Sequence, residues 1–439
     1  MKIHFIGIGG IGLSALAKFL VGQGHRISGS DMRQSEITDD LAHNYGIKIT
    51  IPHHPDAVED SDTVIHSAAV RPGNIEYQRA KELGIELLSR KDALKFILAD
   101  KKVYAVGGAH GKSTTSAMLA ALLPETNALI GAISKSFGSN VRTFENDKVV
   151  FEADESDESF LNSNPKLAIV TNVEPEHMEY YEYDENRFYG AYRKFIELAE
   201  LRILNGDDEF LDSLDIDSVK IYPSKDIKDI EYFVRDREPR TKFRLKNMGE
   251  FEVFGFGEHI AVDASLAITA AHELGNDIDT LRDNLKNNYK GIKKRFDIIH
   301  SDDNRVIIDD YGHHPTEIKA TLDALKTFKK RLGLEKLRVI WQPHKYTRTL
   351  DNLKGFVECF EGVDELVILP IWSAGEIEIP IDLKGAFSRY RPIMADRITR
   401  GDGSVQIVRN DRVVEEFRDG LIAAFGAGDI TYQIRGEFT

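Results

Sequence analysis

The sequence predicts an α/β protein of three domains, and three observations carry that expectation. Short apolar strands alternate with helical stretches along the chain, the pattern of parallel sheets covered by helices. Two glycine-rich loops about a hundred residues apart each follow an apolar strand directly, where a helix N-terminus offers its N–H groups to phosphate. The chain has 439 residues, of which 42% are hydrophobic, sufficient for roughly three cores.

Residues 1–99 place strands at 2–8, 26–30, 47–50, 63–67 and 85–88 between helices such as 11–23 and 76–83, a Rossmann-like N-terminal domain. Residues 100–294 hold strands near 103–107, 128–131, 148–153, 167–171 and 201–204, with helices near 113–123, 185–198 and 261–274. Because the second loop lies here, this reads as a central P-loop ATPase-like α/β domain. Residues 295–439 alternate strands at 305–310, 337–341, 365–369, 405–408 and 421–425 with helices at 316–331 and 350–359, a second Rossmann-like domain. The acidic stretch 207–239 is weakly periodic and reads as a surface elaboration of the central domain.

The two loops differ in chemistry. Gly7, Gly9 and Gly12 fit G-x-G-x-x-G, whose glycines let the backbone of Gly9, Gly10, Ile11 and Gly12 approach a pyrophosphate. Asp31 ends the following strand, where a dinucleotide fold binds a ribose, so this loop taken alone would also suit a nicotinamide dehydrogenase. The second loop, Gly107-Gly108-Ala109-His110-Gly111-Lys112-Ser113-Thr114, is one residue shorter than the general P-loop but keeps its Gly-Lys-Ser core. Lys112 can neutralise β and γ phosphates, Ser113 can ligate magnesium, and Thr114 opens the helix facing them. The loops together predict ATP and a second, diphosphate-containing ligand.

A net charge of −15 argues against a nucleic-acid groove, which needs clustered basic surface. No apolar run approaches the ~20 residues of a membrane span, and the N-terminus enters a strand directly. The single cysteine, Cys359, excludes an intrachain disulfide and favours the cytoplasm. Carboxylates at the end of strand 148–153, in Glu152-Ala153-Asp154-Glu155-Ser156-Asp157, stand where a metal opposite a P-loop requires them. His177 follows strand 167–171 as a second-metal or phosphate contact, and the cations of 290–295 and 342–349 lie at a domain junction and past a strand end.

The ordered motifs Gly7–Gly12, Gly108–Ser113, Glu152–Ser156, Asn172-Val173-Glu174-Pro175-Glu176-His177-Met178, Asp309-Asp310-Tyr311-Gly312-His313-His314-Pro315 and Gln342-Pro343-His344-Lys345-Tyr346-Thr347-Arg348-Thr349 resemble the Mur ligases of peptidoglycan synthesis. They resemble most the branch that adds L-alanine to UDP-N-acetylmuramate. The resemblance implies an ATP-dependent ligase working through an acyl phosphate with Mg2+, expectedly two ions, as a monomer or homodimer. It implies that Lys112, Glu152 and His177 are catalytic, with Ser113 and Glu152 on the first magnesium and His177 on the second. It assigns Asp263, Arg295 and Asp310 to the ATP site, together with the second loop. Ser67, Ala68 and Arg295 join the first loop around the UDP-sugar, and Tyr311, His344 and Arg348 surround the alanine, whose carboxylate a guanidinium would grip bidentately.

Three positions depart from the family pattern. Lys345 replaces the usual arginine with a point charge. Asp263 ends Gly257-Glu258-His259-Ile260-Ala261-Val262-Asp263 where relatives read G-x-H-N-x-x-N, so against adenine it can accept but not donate. Lys194 stands in the region of a carbamylated lysine that the alanine-adding branch often lacks. A murein-peptide recycling ligase and a non-catalytic UDP-sugar sensor remain the rival readings.

Overall fold

The computed structural model describes residues 1–401 and 403–437. The chain forms two compact units, one from Met1–Lys228, Arg244–Phe251 and Val262–Lys290, the other from Asp229–Phe243, Glu252–Ala261 and the chain from Gly291 onward.

In the first unit, five parallel strands run in the order Lys48–Thr50, Arg26–Ser30, Lys2–Ile6, Thr63–His66, Glu86–Ser89. The first-made strand is central with neighbours on both sides, so its C-terminal end is the crevice where such sheets take ligands. Helix Ile11–Gly22 leaves that end and buries Leu13, Leu16, Phe19 and Leu20 against the sheet. Two helices not expected from the sequence complete the layer. Glu36–Tyr45 starts at a Ser35/Thr38 capping box and stops at left-handed Gly46, and Arg90–Leu98 is capped by Ser89.

The same unit holds a seven-stranded sheet in the order Val219–Ile221, Leu201–Asn205, Pro165–Val170, Lys102–Gly107, Lys148–Glu152, Asn127–Ser134, Ser139–Arg142. Only its last pair is antiparallel. Strand Lys102–Gly107 lies between Pro165–Val170 and Lys148–Glu152, which gathers the second loop, Glu152 and the 171–177 segment at the C-terminal ends of these inner parallel strands. Helix Glu185–Leu198 presents Phe188, Tyr192 and Phe195 on one face at helical spacing. With Phe160 and Tyr181 these rings pack edge-on or stacked at 4.9–5.4 Å, each contributing about 2–3 kcal/mol of burial.

The stretch expected to be surface elaboration is more ordered than its periodicity implied. It contains helix Glu209–Ser213, strand Val219–Ile221 and strand Ile227–Arg235, the first of three strands that continue with Glu238–Leu245 and Gly249–Phe254. Its charged residues sit on exposed positions, so no apolar alternation marks them.

The second unit carries a six-stranded sheet in the order Asp297–Ser301, Arg305–Asp310, Gly420–Phe425, Leu337–Trp341, Glu365–Ile368, Ile393–Met394. The first strand is antiparallel and the rest are parallel. Helix Pro315–Leu332 covers one face, packing Ile318, Leu322, Leu325 and Phe328 with Trp341. The expected strand 405–408 does not join this sheet. Ser404–Arg409 instead centres a separate antiparallel sheet with Arg397–Gly401 and Arg412–Phe417, and its apolar residues cover the other face of the parallel sheet. The expected helix 350–359 is two helices, Tyr346–Asp351 and Leu353–Cys359, broken at Asn352. Among the described residues no helix is long and apolar enough to cross a membrane.

Candidate active site

The first glycine loop is braced by the side chains around it. Gly7 has φ 83° and, with Ile8, donates its N–H to the Ser30 carbonyl at 2.9 and 3.0 Å. Asp31 accepts the Gly9 N–H at 2.8 Å, so its carboxylate closes the loop. Ser67 donates its N–H to Ile6 O at 3.1 Å, and its Oγ lies 2.9 Å from where a Cβ on Gly7 would stand. Ala68 beside it is exposed, as is Ile11. Gly10 caps helix Ile11–Gly22 with no side chain and no acid in the first turn, which leaves that positive helix end open to an anion.

The second loop turns at left-handed Gly108 and Gly111 (φ 135° and 79°), and Gly111 caps helix Lys112–Leu122. Thr171 and Asn172 pin its crest, for the Asn172 amide donates to His110 O at 3.1 Å and its Oδ1 accepts the His110 N–H at 2.9 Å. Lys112 folds back over the loop, donating to the carbonyls of Gly108 at 2.6 Å and Ala109 at 3.0 Å. Its ammonium is 3.1 Å from both oxygens of Glu155, donating to Oε1, while Oε2 has no hydrogen-bond donor among the described residues. Burial raises the Glu155 carboxyl above its ordinary value, partly opposed by Lys112. Ser113 donates to Glu152 Oε1 at 2.8 Å, and the Gly131 N–H holds Oε2 at 2.7 Å, although burial still raises that carboxyl. Thr114 lies in the first helical turn, half-buried.

His177 meets Glu155 and Glu176 there, their ligating atoms all within 4.8 Å of one another. His177 holds φ 54°, a left-handed conformation costing about 1–2 kcal/mol in a residue with a Cβ. Glu155 is fixed from behind, since its carbonyl accepts the Tyr181 hydroxyl at 2.5 Å and Tyr181 is locked in the aromatic cluster. Lys194 lies on the exposed face of helix Glu185–Leu198, outside this group. Asp263 is buried against the loop, with Oδ1 2.5 Å from where a Cβ on Gly111 would stand.

In the second unit, Asp310 closes strand Arg305–Asp310 and His344 lies past the C-terminal end of Leu337–Trp341, the two strands flanking Gly420–Phe425. Asp310 accepts the N–H groups of Phe296 at 2.7 Å and Gly312 at 2.8 Å, tying the turn that carries Arg295 to the one that carries Tyr311. Burial pushes its carboxyl up to about 6. Arg295 is half-exposed, 3.5 Å from Glu317. The His313 ring contacts Tyr311 at 5.3 Å and His344 at 5.9 Å, and Arg348 donates to His344 Nδ1 at 2.9 Å. Tyr311, His344 and Arg348 thus converge through His313. Burial, then Arg348, lowers His344 to about 4, so it is a neutral imidazole at ordinary pH. Lys345 caps helix Tyr346–Asp351 at φ 68°, its N–H bound to the Trp372 carbonyl at 2.8 Å.

Three family models match this chain in succession: "Mur ligase family, catalytic domain" over residues 2–102, "Mur ligase middle domain" over 106–276 and "Mur ligase, glutamate ligase domain" over 294–393. The chain belongs to the Mur ligase family. A protein from Campylobacter curvus named UDP-N-acetylmuramate–L-alanine ligase is 54% identical over 438 residues, covering all of both chains. One of the same name from Helicobacter pylori is 51% identical, covering 99% of this chain and 96% of that one. The crystal structure of UDP-N-acetylmuramate-alanine ligase from Thermotoga maritima matches with a TM-score of 0.81 at 28% identity, over 99% of this chain and 97% of that one.

The Mur ligases depend on ATP with magnesium, and the residues present suit that ion. Ser113, Glu152, Glu155 and Glu176 are hard oxygen donors of the kind magnesium takes, His177 adds a nitrogen, and the buried Glu155 Oε2, close to the Lys112 ammonium, accepts no hydrogen bond among the described residues. Sequence reasoning named Ser113, Glu152 and His177, placed Glu155 only among the carboxylates after strand 148–153, and missed Glu176 and His313. Each lies within three residues of a named one inside a quoted motif, and the signal available was that proximity alone.

Proposed function

We propose that this Mur ligase joins L-alanine to the lactyl carboxylate of UDP-N-acetylmuramate at the expense of ATP, as a cytoplasmic step of peptidoglycan precursor synthesis. The observation that carries this reading is the full-length identity to relatives bearing that name in two genera. Residues 1–99 take the sugar nucleotide, 100–294 take ATP, and 295–439 take the amino acid.

A lactyl carboxylate oxygen attacks the γ-phosphorus, the bond to the β–γ bridging oxygen breaks, and ADP leaves. Attack by one anion on another makes charge stabilisation the main catalytic demand. Lys112 meets it once ATP draws the ammonium from Glu155 toward the γ-phosphate, and the N-terminus of helix Lys112–Leu122 adds its partial charge. Ser113 and Glu152 would hold one magnesium ion and Glu155, Glu176 and His177 a second, which would supply further positive charge to the phosphate oxygens. The alanine amine then attacks the acyl carbon, phosphate leaves, and the nitrogen gives up a proton. Arg348 binds the alanine carboxylate, and neutral His344 holds the guanidinium without competing for its charge.

The test is phosphate release with ATP, magnesium and UDP-N-acetylmuramate, screened over alanine, serine, glycine and the murein tripeptide. Alanine is the expected acceptor. Preference for the tripeptide would make this a recycling ligase, and absence of ATP turnover with any acceptor would make it a sensor.

A further inference from the structure

Arg90 belongs to neither glycine loop, yet it lies between the groups that serve them. It opens helix Arg90–Leu98, and its Nε is 2.9 Å from where a Cβ on Gly12 would stand, against the first turn of the helix after loop one. That Nε is buried and has no hydrogen-bond partner among the described residues. The other end of the guanidinium reaches the turn just after Glu152. Nη1 donates to Ser159 Oγ at 3.3 Å and lies 3.5 Å from Asp157 and 3.9 Å from Asp154. Neighbouring Lys91 holds the same turn, donating to the Asp157 carbonyl at 3.2 Å and lying 3.6 Å from Glu158. The turn contains Glu155, the partner of Lys112.

We propose that Arg90 is a positioning residue that couples occupancy of the first glycine loop to the carboxylates beside the ATP lysine. The proposal rests on loop one binding the UDP-sugar diphosphate. With that site open, the guanidinium neutralises Asp154 and Asp157. A diphosphate at the mouth of helix Ile11–Gly22 is the stronger anion and engages the unpartnered side of Arg90. The guanidinium then moves toward Gly12, and Asp154 and Asp157 are left less neutralised beside the magnesium ligands. The freed carboxylates, in the same turn as Glu155, attract the magnesium ion that the nucleotide carries, and this local attraction makes the sign of the coupling positive. Lys91 is too far along the turn to replace Arg90, since its contacts are with the Asp157 carbonyl and Glu158.

The experiment is calorimetric titration of the magnesium complex of a β,γ-imido ATP analogue, with and without saturating UDP-N-acetylmuramate. For the wild type the sugar nucleotide should tighten the analogue about five-fold or more. In Arg90→Gln the analogue alone should bind more tightly than to wild type, because Asp154 and Asp157 lose their cation, and the ratio should fall to about one. A merely structural role would weaken that binding rather than tighten it. Asp157→Asn approaches the same link from its other end and should lower the ratio without disturbing helix Arg90–Leu98. A wild-type ratio of one, or equal ratios in wild type and both variants, overturns the coupling. Failure of UDP-N-acetylmuramate to bind the wild type at all would instead overturn the functional reading on which the coupling rests.

Discussion

Replacing Lys112 with alanine removes a cation that is engaged even before ATP arrives. Its ammonium stands 3.1 Å from both Glu155 oxygens, and the Glu155 side chain is 1% exposed. At an effective dielectric of about 20 the gross attraction is on the order of 5 kcal/mol. Removing one partner of such a pair costs about 3–5 kcal/mol, because the other charge stays buried. The variant should therefore melt on the order of 5–10 °C lower at pH 8. The sign with pH follows from Glu155, whose carboxyl burial already raises and which rises further without Lys112. Below an unfolded value of about 4.3 it is neutral in both states and adds no penalty; the penalty grows as pH rises through that value and levels off above the folded one. The deficit against wild type should therefore shrink toward pH 5. Adding Glu155→Gln should restore most of the stability and none of the turnover, which should stay down by about a thousand-fold or more. Calorimetric scans at pH 5 and pH 8, with phosphate release at pH 8, decide it. A single variant that melts with the wild type at pH 8, or a double variant no more stable than the single, would refute the buried-pair argument; retention of more than a tenth of the turnover would refute the role in transfer.

Gly9→Val would put a side chain against Asp31, whose Oδ2 is 2.9 Å from the Cβ position, and should abolish UDP-N-acetylmuramate binding while leaving ATP affinity nearly intact; equal loss of both in titrations would count against the assignment of loop one. Arg348→Ala should raise the KM for alanine by about a hundred-fold or more while ADP-to-ATP back exchange persists, whereas Lys345→Arg should be mild; simultaneous loss of exchange would move Arg348 to the phosphate end. Arg142 donates to the carbonyls of Ala120, Leu123 and Thr126 at 2.9–3.0 Å around the end of the ATP-loop helix. Arg142→Met should cost about 2–4 kcal/mol in urea unfolding with little change in the KM for ATP, and an unaltered midpoint would show that the guanidinium contributes nothing there.

Much of the second-loop side of the candidate site was legible because its residues follow strands in the sequence. Gly108–Ser113 and Glu152 stand at strand ends and His177 lies in the loop that follows Pro165–Val170, and strand periodicity locates those ends. What could not be read was which carboxylate Lys112 would choose. Glu152 and Glu155 are three residues apart, and only the pairing of Lys148–Glu152 with Lys102–Gly107 sends Glu152 to Ser113 and Glu155 to Lys112. Arg90 was illegible for a different reason, since its partners lie 64 or more residues away in another sheet's loops. Strand Ile227–Arg235 escaped because its exposed charged positions show no apolar alternation, and Ser404–Arg409 was misplaced because apolar content marks a strand without naming its sheet.

In the second unit, strand Gly420–Phe425 sits between Arg305–Asp310 and Leu337–Trp341, although it is the last strand of the sheet to be synthesised. Until it emerges from the ribosome, the two strands that carry Asp310 and precede His344 face each other across an open slot, each with an unpaired edge of N–H and C=O groups. The end of the candidate site that holds Asp310 and His344 therefore cannot assemble progressively as the chain is made. It forms when that one buried strand slides in, and a chain stopped before residue 420 would hold its motifs without the geometry that joins them, exposing edges prone to pair with other chains.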